Sequence, residues 1–380
     1  VATVIAARGR LNYTGYGDRV YKLYGVAPEA KLSAGTGFFF GDLIPVEYWL
    51  GGWDWVYDPT YSALFPVPSG VRRADIISNS WGYINLARWG HQGPGMDYLS
   101  AFFNQIISVN LLINHNVTIV FAAGNYGPGY TTISAPGADL LIIEVAASTN
   151  MEYYRLYGFP PGYSGDIVPF SSRGPNALGY PKPDVAAIGA FEWAGVRTVD
   201  GRGYSVRGYN EGAGGGLTLF GGTSEATPFT SGVLALGVQA YVSKYGYVPS
   251  PIELKVLLKS STNDLKYPAL EQGSGLVDAY KLVSTILSGG MTAYLTQPVA
   301  SAFTENYANV YGSYTGVIAG MLADTALYAV VPPGSSYDFT INLKGQGPAF
   351  ARAVWYQLVR EVTVYSGVYY FTTRYFVLPR

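Results

Sequence analysis

The sequence predicts an α/β fold over residues 1–290, with a parallel sheet between layers of helix, followed by a β-sandwich-like domain over 291–380. Three observations carry this. Short β-branched apolar runs such as "VTIVFAA" (117–123) and "LLIIEVA" (140–146) have the length of buried strands. Segments with helical spacing alternate with them, which is the pattern of parallel strands covered on both faces. After Gly289-Gly290 that alternation stops, and strand-like runs broken by Pro-Gly and Ser-Gly turns take over.

Taken in order, "VATVIAARGR" (1–10) has no initiator Met, no signal-peptide pattern and no residue suited to cap a helix, so it reads as the interior of a helix whose first turn is missing. "ADIISNS" (74–80) reads as a short buried strand. From Met96 to Asn114 the residues Leu99, Phe102, Phe103, Ile106, Ile107, Leu111 and Leu112 recur at helical spacing, which predicts an amphipathic helix. A further helix is expected from Ser224 to about Tyr245, with Pro228 tolerated near its start. Ser250, Pro251 and Glu253 form a capping-box start for a helix to about Ser261, and another helix covers 277–288. Two long stretches read as loops: 38–65, with ten aromatic residues, and the glycine-rich 191–219. The aromatic stretch either packs on the body or docks a partner.

Composition narrows the function. The chain has 380 residues, 49% of them apolar, and no apolar stretch reaches the roughly 18 to 20 residues of a membrane span. A net charge of −1 without a basic block gives no reason to expect nucleic acid or an anionic membrane as partner. There is no cysteine, so disulfides and thiol chemistry are excluded. With 34 tyrosines and only 13% charged residues, the chain has the composition expected of a secreted or cell-surface protein. The low charge argues against surface ion-pair networks as a source of thermostability. Acidic residues are scattered without calcium-ligand spacing, so no cofactor is specified, although structural calcium is not excluded.

The chemistry centres on "FGGTSEATPFTSG" (220–232). A serine hydroxyl is a poor nucleophile unless a base takes its proton and donors wait for the oxyanion. Ser224 falls at a helix start, where free N–H groups favour negative charge. Asn125, in "AAGNYG" just after a strand, offers a side-chain amide donor. "SNSWG" (78–82) ends another strand, where it lies along a substrate. The chain has two histidines, His91 in "RWGHQGPG" and His115 in "NHNV", and neither need lie near Ser224.

Together these residues resemble the subtilisin-like serine proteases. "GTSEATP" (222–228) is similar to the family's nucleophile motif, implying Ser224. "FAAGN" (121–125) is similar to its oxyanion motif, implying Asn125 as donor, with Ala123 and Gly124 beside the substrate. "NSWG" (79–82) resembles the substrate-binding strand, implying contacts from Ser80, Trp81 and Gly82. Ser134 in "TISAPG" is placed at the base of the S1 pocket. "FSSRGP" (170–175), "KPDVAAIG" (182–189) and "GSGLVDAYKLV" (273–283) resemble three further segments, in the family's order. The resemblance implies the subtilisin fold over about 1–290 and endopeptidase activity on polypeptides; since "SWG" and "FAAGN" offer no acidic floor, apolar or aromatic side chains are expected at S1.

In that family the order is Asp, His, Ser, and the His precedes a segment that "VATVIAARG" resembles. The resemblance therefore places the catalytic His just upstream of Val1 and the Asp further back, in an N-terminal segment or chain that would be a partner of these residues. His91 and His115 map to positions without a catalytic role. Glu225 stands where many relatives have an uncharged residue. It reads either as an acid suited to the first helical turn or as a charge that raises the pKa of a neighbouring His. Two other readings stand beside the endopeptidase. One is an inactive subtilisin-fold surface-assembly protein. The other is a Ser-Glu-Asp sedolisin-type peptidase, which expects an Asp where Asn125 stands.

Overall fold

The computed structural model describes residues 1–14, 20–33, 73–82, 100, 102–104, 106–107, 116–150, 165–176, 179–190, 192–197, 210–211, 215–307, 312–324, 332–346, 356–365 and 368–377. The aromatic stretch 38–65, His91 and His115 lie outside the described residues.

Four strands, β3 (Ile76–Asn79), β4 (Thr118–Ala122), β5 (Ile143–Thr149) and β6 (Val185–Ala190), form a sheet in that order, every pair parallel. β1 (Arg8–Thr14) and β2 (Val20–Tyr24) pair separately and antiparallel, after a short helix α1 (Ala2–Ala6). The sheet is apolar on both faces, and its alternation sends neighbouring residues of β4 to opposite sides. Val120 joins Val145 and Val185 against the long helix α2 (Thr223–Tyr245) and the helices α3 (Pro251–Ser260) and α5 (Ala279–Ser288). Ile119 and Phe121 instead meet Phe103 and Ile107, which belong to helical residues within the predicted 96–114 segment. Helices thus cover both faces of the sheet.

Helix α2 is buried along most of its length, unlike an amphipathic surface helix. Its glycines permit this packing. A side chain at Gly232 would meet Val26 within 2.6 Å, and one at Gly237 would meet Leu282 within 2.8 Å. It ends at Gly246 in the left-handed conformation (φ 82°). Helix α3 begins as expected, with Ser250 Oγ accepting from Glu253 N–H at 3.1 Å and Pro251 in its first turn. Between α3 and α5 lies a single turn, α4 (Ala269–Gln272).

Two expectations need correction. The glycine-rich stretch 191–219 is not wholly loop, because β7 (Glu192–Arg197) pairs antiparallel with β9 (Gly215–Phe220), which also carries the short β8 (Asn210–Glu211). Backbone ladders need no side-chain pattern, so a run of glycines conceals them. The strand read at 140–146 instead runs 143–149, since the carbonyls of Leu140 and Ile142 accept from lysine ammonium groups. Beyond residue 290, β10 (Thr292–Tyr307) pairs with β11 (Gly312–Asp324) and β12 (Ile341–Lys344), and β13 (Tyr356–Tyr365) pairs with β14 (Val368–Val377), all antiparallel.

Several of the chain's few charges lie in the interior. Asp184, just before β6, receives Lys182 Nζ at 2.8 Å, Lys255 Nζ at 2.9 Å and Lys259 Nζ at 3.1 Å, and accepts the N–H of Glu144 at 2.9 Å. Burial alone would raise its pKa, but the three ammonium groups outweigh burial and hold the carboxyl well below the usual range. The cluster ties α3 to the edge of the sheet, and removing the Asp184 carboxylate would take the shared counter-charge from three buried ammonium groups. Glu144 is different. It is fully buried, neither carboxyl oxygen accepts a hydrogen bond from a described residue, and burial pushes its pKa well above 4.5. Because the folded pKa is raised, Glu144 costs stability increasingly as pH climbs above 4.5. Glu144→Gln should therefore unfold at a higher denaturant concentration than the parent at pH 8, with the advantage vanishing near pH 4. Urea titrations at the two pH values measure it.

Candidate active site

The site forms where the C-terminal ends of β3 and β4 meet the N-terminus of α2. Gly222 caps the helix with φ 97°, a conformation L side chains rarely adopt, and a Cβ there would approach Asn125 Nδ2 to 3.1 Å. Ser224 follows in the first turn, where unpaired N–H groups and the positive end of the helix dipole favour negative charge.

Asn125 sits just beyond β4, and its orientation is set by hydrogen bonds. Its Oδ1 accepts from Thr223 N–H at 2.9 Å and from Thr223 Oγ1 at 3.0 Å, while Thr223 Oγ1 accepts from Gly124 N–H at 3.2 Å. With Oδ1 engaged, the NH₂ end is left for the cavity that Asn125 and Ser224 both line. That cavity measures about 180 Å³ and is also bordered by Trp81, Gly82, Ala122, Gly124, Tyr126, Ser134 and Thr223. Gly82 and Gly124 keep it open, since a Cβ at either would come within 2.6 Å or 3.2 Å of Ser134 Oγ. Ser134 is buried beneath it and donates to the carbonyls of Ala122 and Ala123 at 3.3 Å and 3.1 Å. No carboxylate borders the cavity among the described residues.

Most residues singled out in the sequence gather here. Ala123 does not border the cavity: it is fully buried against Ile133 and Ala138, and Ala122 lines the space instead. Ser80 also lies outside the lining, yet it exchanges two hydrogen bonds with Ser224. Trp81 borders the cavity with its ring packed edge-on against Phe121, 4.9 Å between centroids. Besides Ala122 and Tyr126, which border the cavity, two positioning residues were not singled out. Thr223 orients Asn125, and Ser172, from "FSSRGP", accepts the N–H of Tyr126 and donates its own N–H to the Gly124 carbonyl. Both lie inside quoted motifs, but a motif does not say which member holds another in place. Among the described residues, no group of three or more His, Asp and Glu side chains is arranged to hold a metal ion.

Glu225 matches neither of its two readings as an ionised acid. It is 2% exposed, and Oε2 accepts no hydrogen bond from a described residue. Burial first, and then the charge of Glu192 on β7, raise its pKa to about 9, against an opposing pull from the N–H of Glu192. Glu192 is itself raised by burial and accepts from Asn150 Nδ2. At neutral pH Glu225 is therefore a neutral acid.

A serine at a helix start, an oriented amide beside it and a parallel sheet behind both make up the site. Residues 1–276 match the model of Peptidase_S8, the subtilase family, and the chain belongs to that family. Its fold is the subtilisin-like α/β fold. Pyrolysin of Pyrococcus furiosus is 29% identical over 303 residues, covering 73% of this chain and 19% of pyrolysin. The serine protease AprX of Bacillus subtilis is 32% identical over 156 residues, covering 40% of this chain and 31% of AprX. The chain thus spans less than a third of the length of either relative. Among solved structures, the self-cleaved protease domain of PatA is similar, at 21% identity and a TM-score of 0.49, over 76% of this chain and 82% of that one.

The raised pKa of Glu225 has a measurable consequence. Its folded pKa of about 9 lies above 4.5, so stability is lost progressively as pH rises between those values. Glu225→Gln keeps the neutral shape and should flatten that decline, raising the melting temperature at pH 9 while leaving it nearly unchanged at pH 4. Calorimetry at both pH values checks it.

Proposed function

We propose that this chain carries the nucleophile and the oxyanion donor of a subtilisin-type serine endopeptidase. The observation that supports this most is the single cavity shared by Ser224 and Asn125, with Thr223 turning the amide so that its NH₂ end faces the cavity. In this reading Ser224 Oγ attacks the carbonyl carbon of a peptide bond as its proton passes to an imidazole. The carbonyl oxygen becomes an oxyanion that accepts from Asn125 Nδ2 and from the N–H of Ser224. The proton then goes to the leaving amine. Water, deprotonated by the same imidazole, cleaves the acyl-enzyme and regenerates Ser224.

None of the described residues bordering the cavity can act as that base. By the family order, the imidazole and its Asp belong to a segment upstream of Val1, with "VATVIAARG" continuing the helix that the His opens. Trp81, Gly82, Ala122, Gly124 and Ser134 line the path of the substrate, and Ser80 flanks it through its bonds to Ser224. The glycine walls, with no carboxylate bordering the cavity among the described residues, favour an apolar or aromatic side chain at S1. We take 291–380 as a separate β-rich domain and the protein as secreted or at the cell surface. Among the described residues, no helix is long and apolar enough to cross a membrane.

A fluorophosphonate probe tests the reading. Residues 1–380 alone should label poorly, because a lost triad member leaves only residual catalysis, roughly 10³- to 10⁴-fold over water. The protein extended upstream to include the Asp and His should label rapidly at Ser224. There, Asn125→Ala should lower peptide turnover by about 10²- to 10³-fold, the usual cost of one oxyanion donor. Absence of labelling in both forms would favour an inactive surface-assembly protein. Rapid labelling of residues 1–380 alone would return the base to His91 or His115.

A further inference from the structure

Helix α2 carries a proline four residues after Ser224. In an α-helix the N–H of residue i+4 donates to the carbonyl of residue i, and proline has no N–H to give. Its ring also crowds the carbonyl of residue i−4, which opens that turn. Pro228 therefore deprives one particular carbonyl of its normal donor, and that carbonyl belongs to Ser224.

A group from another part of the chain meets it. Ser80 Oγ donates to the Ser224 carbonyl at 2.8 Å, and Ser224 Oγ donates to the Ser80 carbonyl at 3.2 Å. The two residues are 144 positions apart, and Ser80 is the first residue after β3. We propose that Ser80 is a positioning residue whose hydroxyl stands in for the N–H that Pro228 lacks, fixing the backbone of Ser224 against the strand that flanks the substrate. The proline makes this attachment effective. With an ordinary residue at 228, the helix would supply its own donor and the hydroxyl would compete for the same oxygen. The reverse bond gives Ser224 Oγ a defined resting position at the strand end.

The inference rests on Ser224 being the nucleophile, and two readouts separate its failure from the failure of that reading. The first is a double-mutant cycle in the upstream-extended protein, read by fluorophosphonate labelling rate and by kcat and KM on a peptide. Ser80→Ala should slow labelling by about tenfold, the effect of leaving a part-buried carbonyl without its donor, through kcat more than KM. Ser80→Thr, which keeps the hydroxyl, should retain most of the rate. In a Pro228→Ala background, Ser80→Ala should cost at most about twofold, because the new N–H takes the carbonyl. Equal losses in the two backgrounds, or no loss in either, would overturn the proposal.

The second readout needs no activity. In folded Pro228→Ala protein, amide hydrogen exchange at residue 228 should slow further when Ser80 is also changed to Ala, since the competing hydroxyl is gone. Unchanged exchange would overturn the role of Ser80 even if Ser224 labels normally. A parent protein that never labels would refute the nucleophile assignment and leave the exchange result to decide the contact.

Discussion

Asn125 Oδ1 receives both the N–H and the hydroxyl of Thr223, and on this small junction the geometry of the site depends. It joins the end of β4 to the first turn of α2, and the Ser80–Ser224 pair joins the end of β3 to the same turn. Parallel strands bring their C-terminal ends to one edge of the sheet, and the N-terminus of α2 meets that edge. A helix start has N–H groups without partners, and strand ends have side chains and carbonyls that can engage them. The contact therefore stabilises the fold and leaves one amide and one hydroxyl facing the same cavity.

The burial of charge is a second constraint. A chain with only 13% charged residues still places Lys182, Asp184, Lys255, Lys259 and Glu144 in its interior. Asp184 is matched by three ammonium groups, whereas Glu144 and Glu225 have oxygens without donors among the described residues; burial raises the pKa of both, and that of Glu225 reaches about 9. The matched carboxylate fastens α3 to the sheet. The unmatched ones make stability fall with rising pH, which runs opposite to the usual contribution of a salt-bridged carboxylate.

Much of this was legible in the sequence, for physical reasons that differ from element to element. Strands β3 and β4 and the helices α2, α3 and α5 are carried by local signals: β-branched runs, helical spacing, and the Ser250–Pro251 start. The convergence of Ser224, Asn125, Gly82 and Ser134 followed from motifs quoted at distant positions. What stayed hidden was long-range or electrostatic. Glycines conceal the β7–β9 ladder, and the carbonyls of Leu140 and Ile142 go to lysines rather than to a strand. Both readings of Glu225, as a first-turn acid or as a charge beside a His, take it as ionised, because burial beside Glu192 is invisible in one dimension. Ala123 was placed beside the substrate, but the pleat turns its neighbour Ala122 toward the cavity.

A crystal structure of the upstream-extended protein with a bound peptide aldehyde decides whether Ser224 and Asn125 act on the same carbonyl. The account predicts a covalent bond from Ser224 Oγ to the aldehyde carbon, with the resulting oxygen within hydrogen-bond reach of Asn125 Nδ2 and the side chain at S1 over Ser134. An aldehyde bound without that bond, or with its oxygen turned away from Asn125, would contradict it.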